Sequence, residues 1–265
     1  MTESGFHIEV HGTVQGVGYR PWVFQLAKRI GIRGVVWNDS RGVSIEAFGA
    51  TDALDRFLAA LRSDSPPAAR VRFVTSETIP FVAHTAFVIS ESVATTERRV
   101  SIPADLATCD DCLEELLDPG DRRYRYPFTN CTNCGPRYSI VNDAPYDRAR
   151  TSMAVFHMCD RCRAEYESPD DRRFHAQPNA CPECGPRLMA MRSSAEEIVT
   201  PDPVHFAART IRAGMTVAIK GLGGFHLACD ATSGQAVQRL RDRKRREHKP
   251  LAVMVRDLAQ AQELA

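Results

Sequence analysis

Eight of the nine cysteines in this chain fall in four Cys-x-x-Cys pairs: Cys109/Cys112, Cys131/Cys134, Cys159/Cys162 and Cys181/Cys184. The pairs are themselves ordered as Cys-x₂-Cys-x₁₈-Cys-x₂-Cys, written twice and 50 residues apart. Tetrahedral zinc takes four thiolates, and one Cys-x-x-Cys turn supplies two of them, so each copy describes one complete site. The copies agree beyond the ligands. Pro119 corresponds to Pro169, Arg122-Arg123-Tyr124 to Arg172-Arg173-Phe174, and Cys134-Gly-Pro-Arg137 to Cys184-Gly-Pro-Arg187. His157 and His175 are further candidate ligands, but four cysteines already fill each site. Residues 105–190 hold too few aliphatic side chains for an ordinary core, so metal binding is expected to supply much of their folding free energy. Closed Cys₄ sites leave no open coordination position, which makes the two expected zinc ions structural.

The remaining features set the context for this repeat. Paired cysteines without a secretory leader fit a reducing compartment, where metal sites are expected rather than disulfides. Met1–His11 lacks a basic segment followed by an apolar one, and no apolar run approaches membrane-spanning length, so a cytoplasmic protein is expected. A net charge of +1 gives no global attraction to nucleic acid or membrane. Cys229, in an apolar setting, reads as a small buried side chain.

Residues 1–91 read as an α+β unit. Phe6, Ile8 and Val10 alternate with polar residues as in a strand. A glycine-rich turn, 12–18, leads to Pro21 at the start of a helix whose apolar face is Val23, Leu26, Ala27 and Ile30. Two strands, 33–37 and 43–48, flank a turn at 38–42. A second helix over 51–64 presents Leu54, Phe57, Leu58 and Leu61, and further strands are expected at 71–76 and 86–89. This is the β-α-β-β-α-β order of ferredoxin-like folds. Residues 91–101 read as a polar linker. From about residue 200 a helix (204–213), a buried strand (215–219), a glycine loop (220–224), a helix (233–246) and a strand (251–255) are expected. Such a piece is too small for an independent α/β domain and reads as the start of a larger one. The chain is thus expected to be an α+β multidomain protein with parts at 1–91, 105–190 and 200–265.

Val10-His-Gly-Thr-Val-Gln-Gly-Val-Gly-Tyr-Arg20 lies between a strand and a helix. Glycines there let backbone N–H groups converge on an oxyanion, and an arginine can fork two of its oxygens. The string resembles the acylphosphatase signature, with Tyr19 where that family more often has Phe, and Gly34-Val-Val-Trp-Asn38 followed by Gly42-Val43 resembles its second motif. The resemblance implies a phosphate cradle at Gln15, Gly16, Val17, Gly18, Tyr19 and Arg20. Arg20 would hold the phosphoryl group while the Asn38 amide orients the attacking water.

The run 240–251 carries six lysines and arginines in ten residues, which on charge alone is a solvated helix face. With Lys220-Gly-Leu-Gly-Gly-Phe-His226 it resembles the opening of a YrdC-like domain, implying Arg241, Arg243, Lys249 and, more weakly, Lys220 as nucleotide ligands. The order of the three parts resembles the N-terminal portion of the HypF family of NiFe-hydrogenase maturation carbamoyltransferases. The strings 101–106, 126–137, 145–148 and 174–179 support that match. This resemblance implies hydrolysis of carbamoyl phosphate at the acylphosphatase site. It further implies ATP with Mg forming carbamoyl-adenylate in the complete protein, and transfer to the terminal cysteine of a HypE-like acceptor. The isolated chain is expected to perform the hydrolysis alone. Two other readings stay open: a stand-alone acylphosphatase with a zinc docking module, and a zinc-ribbon RNA binder, which its small net charge disfavours.

Overall fold

In the computed structural model, which describes residues 3–93 and 102–264, the alternation seen at Phe6–Val10 extends to an 11-residue strand, β1 (Glu3–Thr13). It pairs antiparallel on one side with β3 (Val43–Ala50) and on the other with β4 (Arg70–Ile79). β2 (Arg33–Asn38) pairs antiparallel with β3, and a short β5 (Phe87–Ile89) adds in parallel to β2. The resulting order, β4-β1-β3-β2-β5, is the ferredoxin-like arrangement with one extra edge strand.

Two helices, α1 (Tyr19–Ile30) and α2 (Thr51–Ser63), pack on the sheet through the expected faces: Val23, Leu26 and Ala27 from α1, Leu54, Phe57 and Leu61 from α2. With Ile8, Val10, Val36 and Ile45 they form one continuous apolar core. α1 starts two residues before Pro21, so the proline sits in its first turn, where its missing N–H loses no helix bond. The linker expectation at 91–101 needs correcting at its start, because Val93 N–H donates to the Asn38 carbonyl at 2.9 Å and ties that segment to the sheet. Residues 94–101 lie outside the described residues.

The chain divides into two compact units, Met1–Pro186 and Arg187–Ala265. The first holds both cysteine repeats together with the sheet. Each repeat begins with a knuckle at the N-terminus of a short helix, α3 (Asp110–Leu117) or α4 (Asp160–Glu167), with Cys109 or Cys159 at the N-cap position and no side-chain cap. Among the described residues of the repeats, apolar packing at the first site consists of the cysteines themselves, as the poverty of aliphatic side chains implied.

The second unit contains a β-hairpin pair β6 (Ala190–Met191) and β7 (Glu197–Ile198), then α5 (Pro203–Arg212). The pair β8 (Val217–Lys220) and β9 (Phe225–Ala228) follows, with α6 (Gly234–Lys244) and α7 (Leu258–Leu264) after it. Three expectations fail here. β8 is largely exposed rather than buried; among the described residues it forms a two-stranded sheet with β9 alone. Residues 251–255 form no strand among the described residues: an apolar run needs a partner ladder to become one, and none is present. Cys229 is half-buried rather than buried. No described helix is long and apolar enough to cross a membrane.

Candidate phosphoryl-transfer site and metal centres

The glycine-rich loop ends on a helix that nothing caps. Gly18 occupies the N-cap position with φ 73° and no side-chain cap, and the first turn of α1 carries no acidic residue. The first N–H groups of the helix therefore lack intrahelical acceptors and present positive potential outward. Gly16 and Gly18 both need the left-handed region, and both are approached closely. A Cβ at Gly16 would lie 3.2 Å from Arg137 Cδ, and one at Gly18 would lie 3.3 Å from Thr132 Cβ. Any other residue would combine backbone strain with overlap.

Gln15 locks the loop to its neighbour. Its amide nitrogen donates to the carbonyls of Asp39 (2.7 Å) and Gly42 (2.6 Å), and its amide oxygen accepts from Tyr146 N–H (2.9 Å). The Gln15 side chain thus braces the turn that carries Asn38. Asp39 organises the same turn: its Oδ1 accepts from the N–H groups of Arg41 (2.7 Å) and Gly42 (2.9 Å), and its Oδ2 from Ser44 Oγ–H (2.6 Å). Asn38 is 1% exposed. Its amide nitrogen donates to the Tyr146 carbonyl at 3.3 Å, while its buried amide oxygen finds no partner among the described residues.

Arg20 is 8% exposed. One of its terminal nitrogens, Nη2, is 2.7 Å from Asp147 Oδ1 and 3.5 Å from the Tyr146 carbonyl; Nη1 donates to Ser92 Oγ at 3.3 Å. The structure therefore brings Arg20 and Asn38 together around one carbonyl oxygen. A cavity lined by residues of the loop, Arg20 and Asn38 is walled by Tyr146, His175 and Gln177 from the cysteine-rich segment. Sequence reading missed Asp39, Tyr146, Asp147 and this role of His175. The signals, a Pro-Tyr-Asp-Arg string and the only His-Ala-Gln triplet of the repeats, were visible but gave no hint of where they would fold.

His175 sits in this wall with φ 53°, at the position that Arg125 (φ 57°) holds in the first repeat. Burial, reinforced by the nearby Arg20 charge and opposed by Asp147, lowers its pKa to about 4. The imidazole is neutral at pH 7. An unfolded chain takes up this proton near pH 6.5 and the folded one near 4, so folding stability falls as pH drops through that window. Between pH 7 and 5 this one group should cost about 2 kcal/mol. We expect His175→Asn to flatten the difference in urea midpoint between those two pH values; an unchanged difference contradicts the assignment.

The four thiols of each repeat lie within 4.8 Å of one another. Sulfur–sulfur separations are 3.6 Å (Cys109–Cys131), 3.8 Å (Cys131–Cys134), 3.8 Å (Cys159–Cys181), 3.7 Å (Cys181–Cys184) and 3.6 Å (Cys162–Cys184). A zinc–sulfur bond of about 2.3 Å in a regular tetrahedron requires sulfur–sulfur edges of about 3.8 Å. Both sites can therefore hold zinc, and neither His157 nor His175 belongs to either group.

The repeats brace each other's sites. Arg122 of the first donates to Cys162 Sγ of the second at 2.9 Å, and both Arg122 (3.1 Å) and Arg123 (2.6 Å) pair with Glu165. Reciprocally, Arg172 donates to Cys112 Sγ at 3.1 Å and pairs with Glu115 at 2.6 Å, and Arg173 joins the same carboxylate. Arg123 Nε donates to the carbonyl just before Cys181, and Arg173 Nε to the one just before Cys131, each at 3.0 Å. A guanidinium aimed at a sulfur suits a thiolate ligand, whose negative charge it offsets.

In the second unit, Arg241 Nη1 donates to the carbonyls of Arg246 (3.1 Å), Glu247 (3.2 Å) and Lys249 (3.2 Å), so its fork closes the turn after α6. Arg243 and Lys249 are exposed, and Lys220 Nζ lies 5.3 Å above the Phe225 ring.

Fold and site together define an acylphosphatase-type domain joined to a pair of Cys₄ modules. Comparison agrees: residues 6–89 match the acylphosphatase family, 108–141 and 158–191 the HypF finger, and 209–265 the family described as telomere recombination, Sua5/YciO/YrdC. An acylphosphatase of Ligilactobacillus salivarius is 36% identical over 33% of this chain and 98% of its own length. Carbamoyltransferase HypF2 of Cupriavidus necator is 54% identical over 96% of this chain and 32% of its own. A full-length HypF solved with phosphate and nucleotide bound superposes with a TM-score of 0.92 at 43% identity, covering 98% of this chain and 34% of that one. The chain belongs to the HypF carbamoyltransferase family and spans about a third of the length of those HypF relatives.

Proposed function

We propose that this chain carries the acyl phosphate hydrolase step of a NiFe-hydrogenase maturation carbamoyltransferase, with carbamoyl phosphate as substrate. The observation that supports this reading is the convergence of Arg20 and Asn38 on one point beside an uncapped helix N-terminus. In the proposed reaction the loop N–H groups of 15–20 and the Arg20 guanidinium hold the phosphoryl oxygens. The unpartnered Asn38 oxygen accepts a hydrogen bond from a water and directs its oxygen at phosphorus. The new P–O bond forms as the bond to the carbamoyl oxygen breaks, carbamate leaves with the electron pair, and of the water's two protons one stays on the new phosphate hydroxyl while the other passes to a phosphate oxygen or to solvent. Positioning and charge stabilisation suffice for such a transfer.

Cys109, Cys112, Cys131 and Cys134, and Cys159, Cys162, Cys181 and Cys184, would each hold one zinc, which ties the chain without taking part in the chemistry. In the complete protein, ATP with Mg would convert carbamate to carbamoyl-adenylate, with Arg243, Lys249 and Lys220 as phosphate ligands and Arg241 shaping their turn. Transfer to a HypE-like acceptor would follow. Phosphate release from carbamoyl phosphate tests the first step directly. Asn38→Ala should slow it by about 10²-fold with little change in KM, since water is positioned rather than substrate bound; a wild-type chain that releases no phosphate contradicts the reading.

A further inference from the structure

The residues touching Arg20 and Asn38 come from outside the acylphosphatase match, which ends at residue 89. Tyr146 and Asp147 lie between the two cysteine repeats, and what they bring to the site is acceptors: a main-chain carbonyl and a carboxylate. This segment is held from both sides. Tyr146 is 2% exposed, with its N–H on Gln15, and the Arg148 guanidinium donates to the carbonyls of Gln177 (2.6 Å), Asn179 (2.9 Å) and Phe156 (2.6 Å). Asp147 is therefore presented between two clamped residues. The Ligilactobacillus acylphosphatase is matched over nearly its whole length by a third of this chain, which leaves such a segment no counterpart there. Phosphoryl transfer as such does not call for it.

The acceptors must serve the part of the substrate that differs. With the phosphoryl group in the loop, an acyl substituent would extend into the cavity that Tyr146 helps to wall. Carbamoyl and acetyl phosphate have nearly the same shape; one ends in an amide with two N–H donors, the other in a methyl. An amide N–H adds a hydrogen bond to the carboxylate, whose Oδ1 is engaged by Arg20, and to a carbonyl that already accepts from Asn38 and Arg20; a methyl adds none. Sites built to hydrogen-bond a substrate N–H reject the analogue lacking it far more strongly than a shape difference of this size could.

We propose that Asp147, with the Tyr146 carbonyl, receives the amide of carbamoyl phosphate and selects it over acetyl phosphate. This rests on the acyl phosphate hydrolase reading above. The experiment compares kcat/KM for the two compounds in the zinc-loaded chain and in Asp147→Ala and Asp147→Asn, with zinc content and circular dichroism confirming the fold. The wild type should prefer carbamoyl phosphate by about tenfold or more, the size of a charge-assisted hydrogen bond. Asp147→Ala, which also frees Arg20 from its anchor, should lose kcat/KM on both compounds but more on carbamoyl phosphate, bringing the ratio near one. Asp147→Asn, which keeps an acceptor oxygen, should retain an intermediate preference. An equal loss on both compounds in Asp147→Ala makes Asp147 only a counter-ion for Arg20 and overturns the proposal. So does a wild type active on both without preference. A wild type inactive on both contradicts the hydrolase reading itself. Should Asp147→Ala lose its zinc, the Asn variant decides: an unchanged wild-type preference in it, or none at all with acetyl phosphate turnover lost, overturns the proposal.

Discussion

Arg20→Ala is expected to release phosphate from carbamoyl phosphate at least about 10³-fold more slowly than wild type, with zinc content unchanged. The magnitude follows from the role. A guanidinium aimed at developing phosphoryl charge in a nearly buried site acts where solvent screens little, and removing such groups costs 10³ or more in related phosphoryl-transfer sites. Arg20 is 8% exposed and anchored by Asp147 at 2.7 Å, so its geometry is set before substrate arrives. Lysine should recover only a small part of the rate, because it keeps the charge but loses the planar fork. Structural damage is separable: the cysteine sites are built from other residues, and Asp147, about a quarter exposed, can be hydrated once its partner is gone. Hydrolysis by Arg20→Ala within tenfold of wild type would remove Arg20 from the site.

Stripping the metal should unfold residues 105–186 while leaving the five-stranded sheet intact. That sheet and its two helices own a continuous core of Ile8, Val10, Leu26, Ile45, Leu54 and Phe57, none of which depends on metal. Besides their sulfurs the repeats own one small cluster of Ile140, Met153 and Ala180, and zinc binding to such modules contributes on the order of 10 kcal/mol per site. Limited proteolysis after chelation should cut between 102 and 186 and spare 3–93. The reciprocal arginines add a sharper expectation. Replacing Cys162 by Ser removes a ligand from the second site and, with it, the sulfur that Arg122 and Arg123 share; the first site should then lose its zinc to a competing chelator more readily than in wild type. Independent zinc retention by the first site would show that the cross-pairing carries no free energy.

The sheet was legible because its signals are local. Alternation at Phe6–Val10, the apolar faces of α1 and α2, and the turn at 38–42 are each written within a dozen residues. The metal ligands were legible for the same reason, since a knuckle spans four residues. Arg20 and Asn38 were readable through their motifs. Their surroundings were not, because Tyr146 and Asp147 reach them across more than 100 positions by tertiary contacts that no period or spacing encodes. Residues 251–255 failed for the opposite reason: the local pattern was right for a strand, but a strand exists only when another lies beside it. His175 illustrates the limit of repeat reasoning. The 50-residue offset makes it the counterpart of Arg125, its sequence context offered it only as a spare metal ligand, and only the fold shows that this one copy faces the cavity.

The exchange of arginines between the repeats has an architectural meaning. Arg122 and Arg123 of the first repeat meet Glu165 of the second, and Arg172 and Arg173 of the second meet Glu115 of the first. What satisfies all four arginines is a two-fold arrangement in which each half lends an arm to the other. The tandem is in effect a homodimer written on one chain. Its halves are nonetheless unequal: residues 175–178 line the phosphoryl cavity, and 125–128 do not.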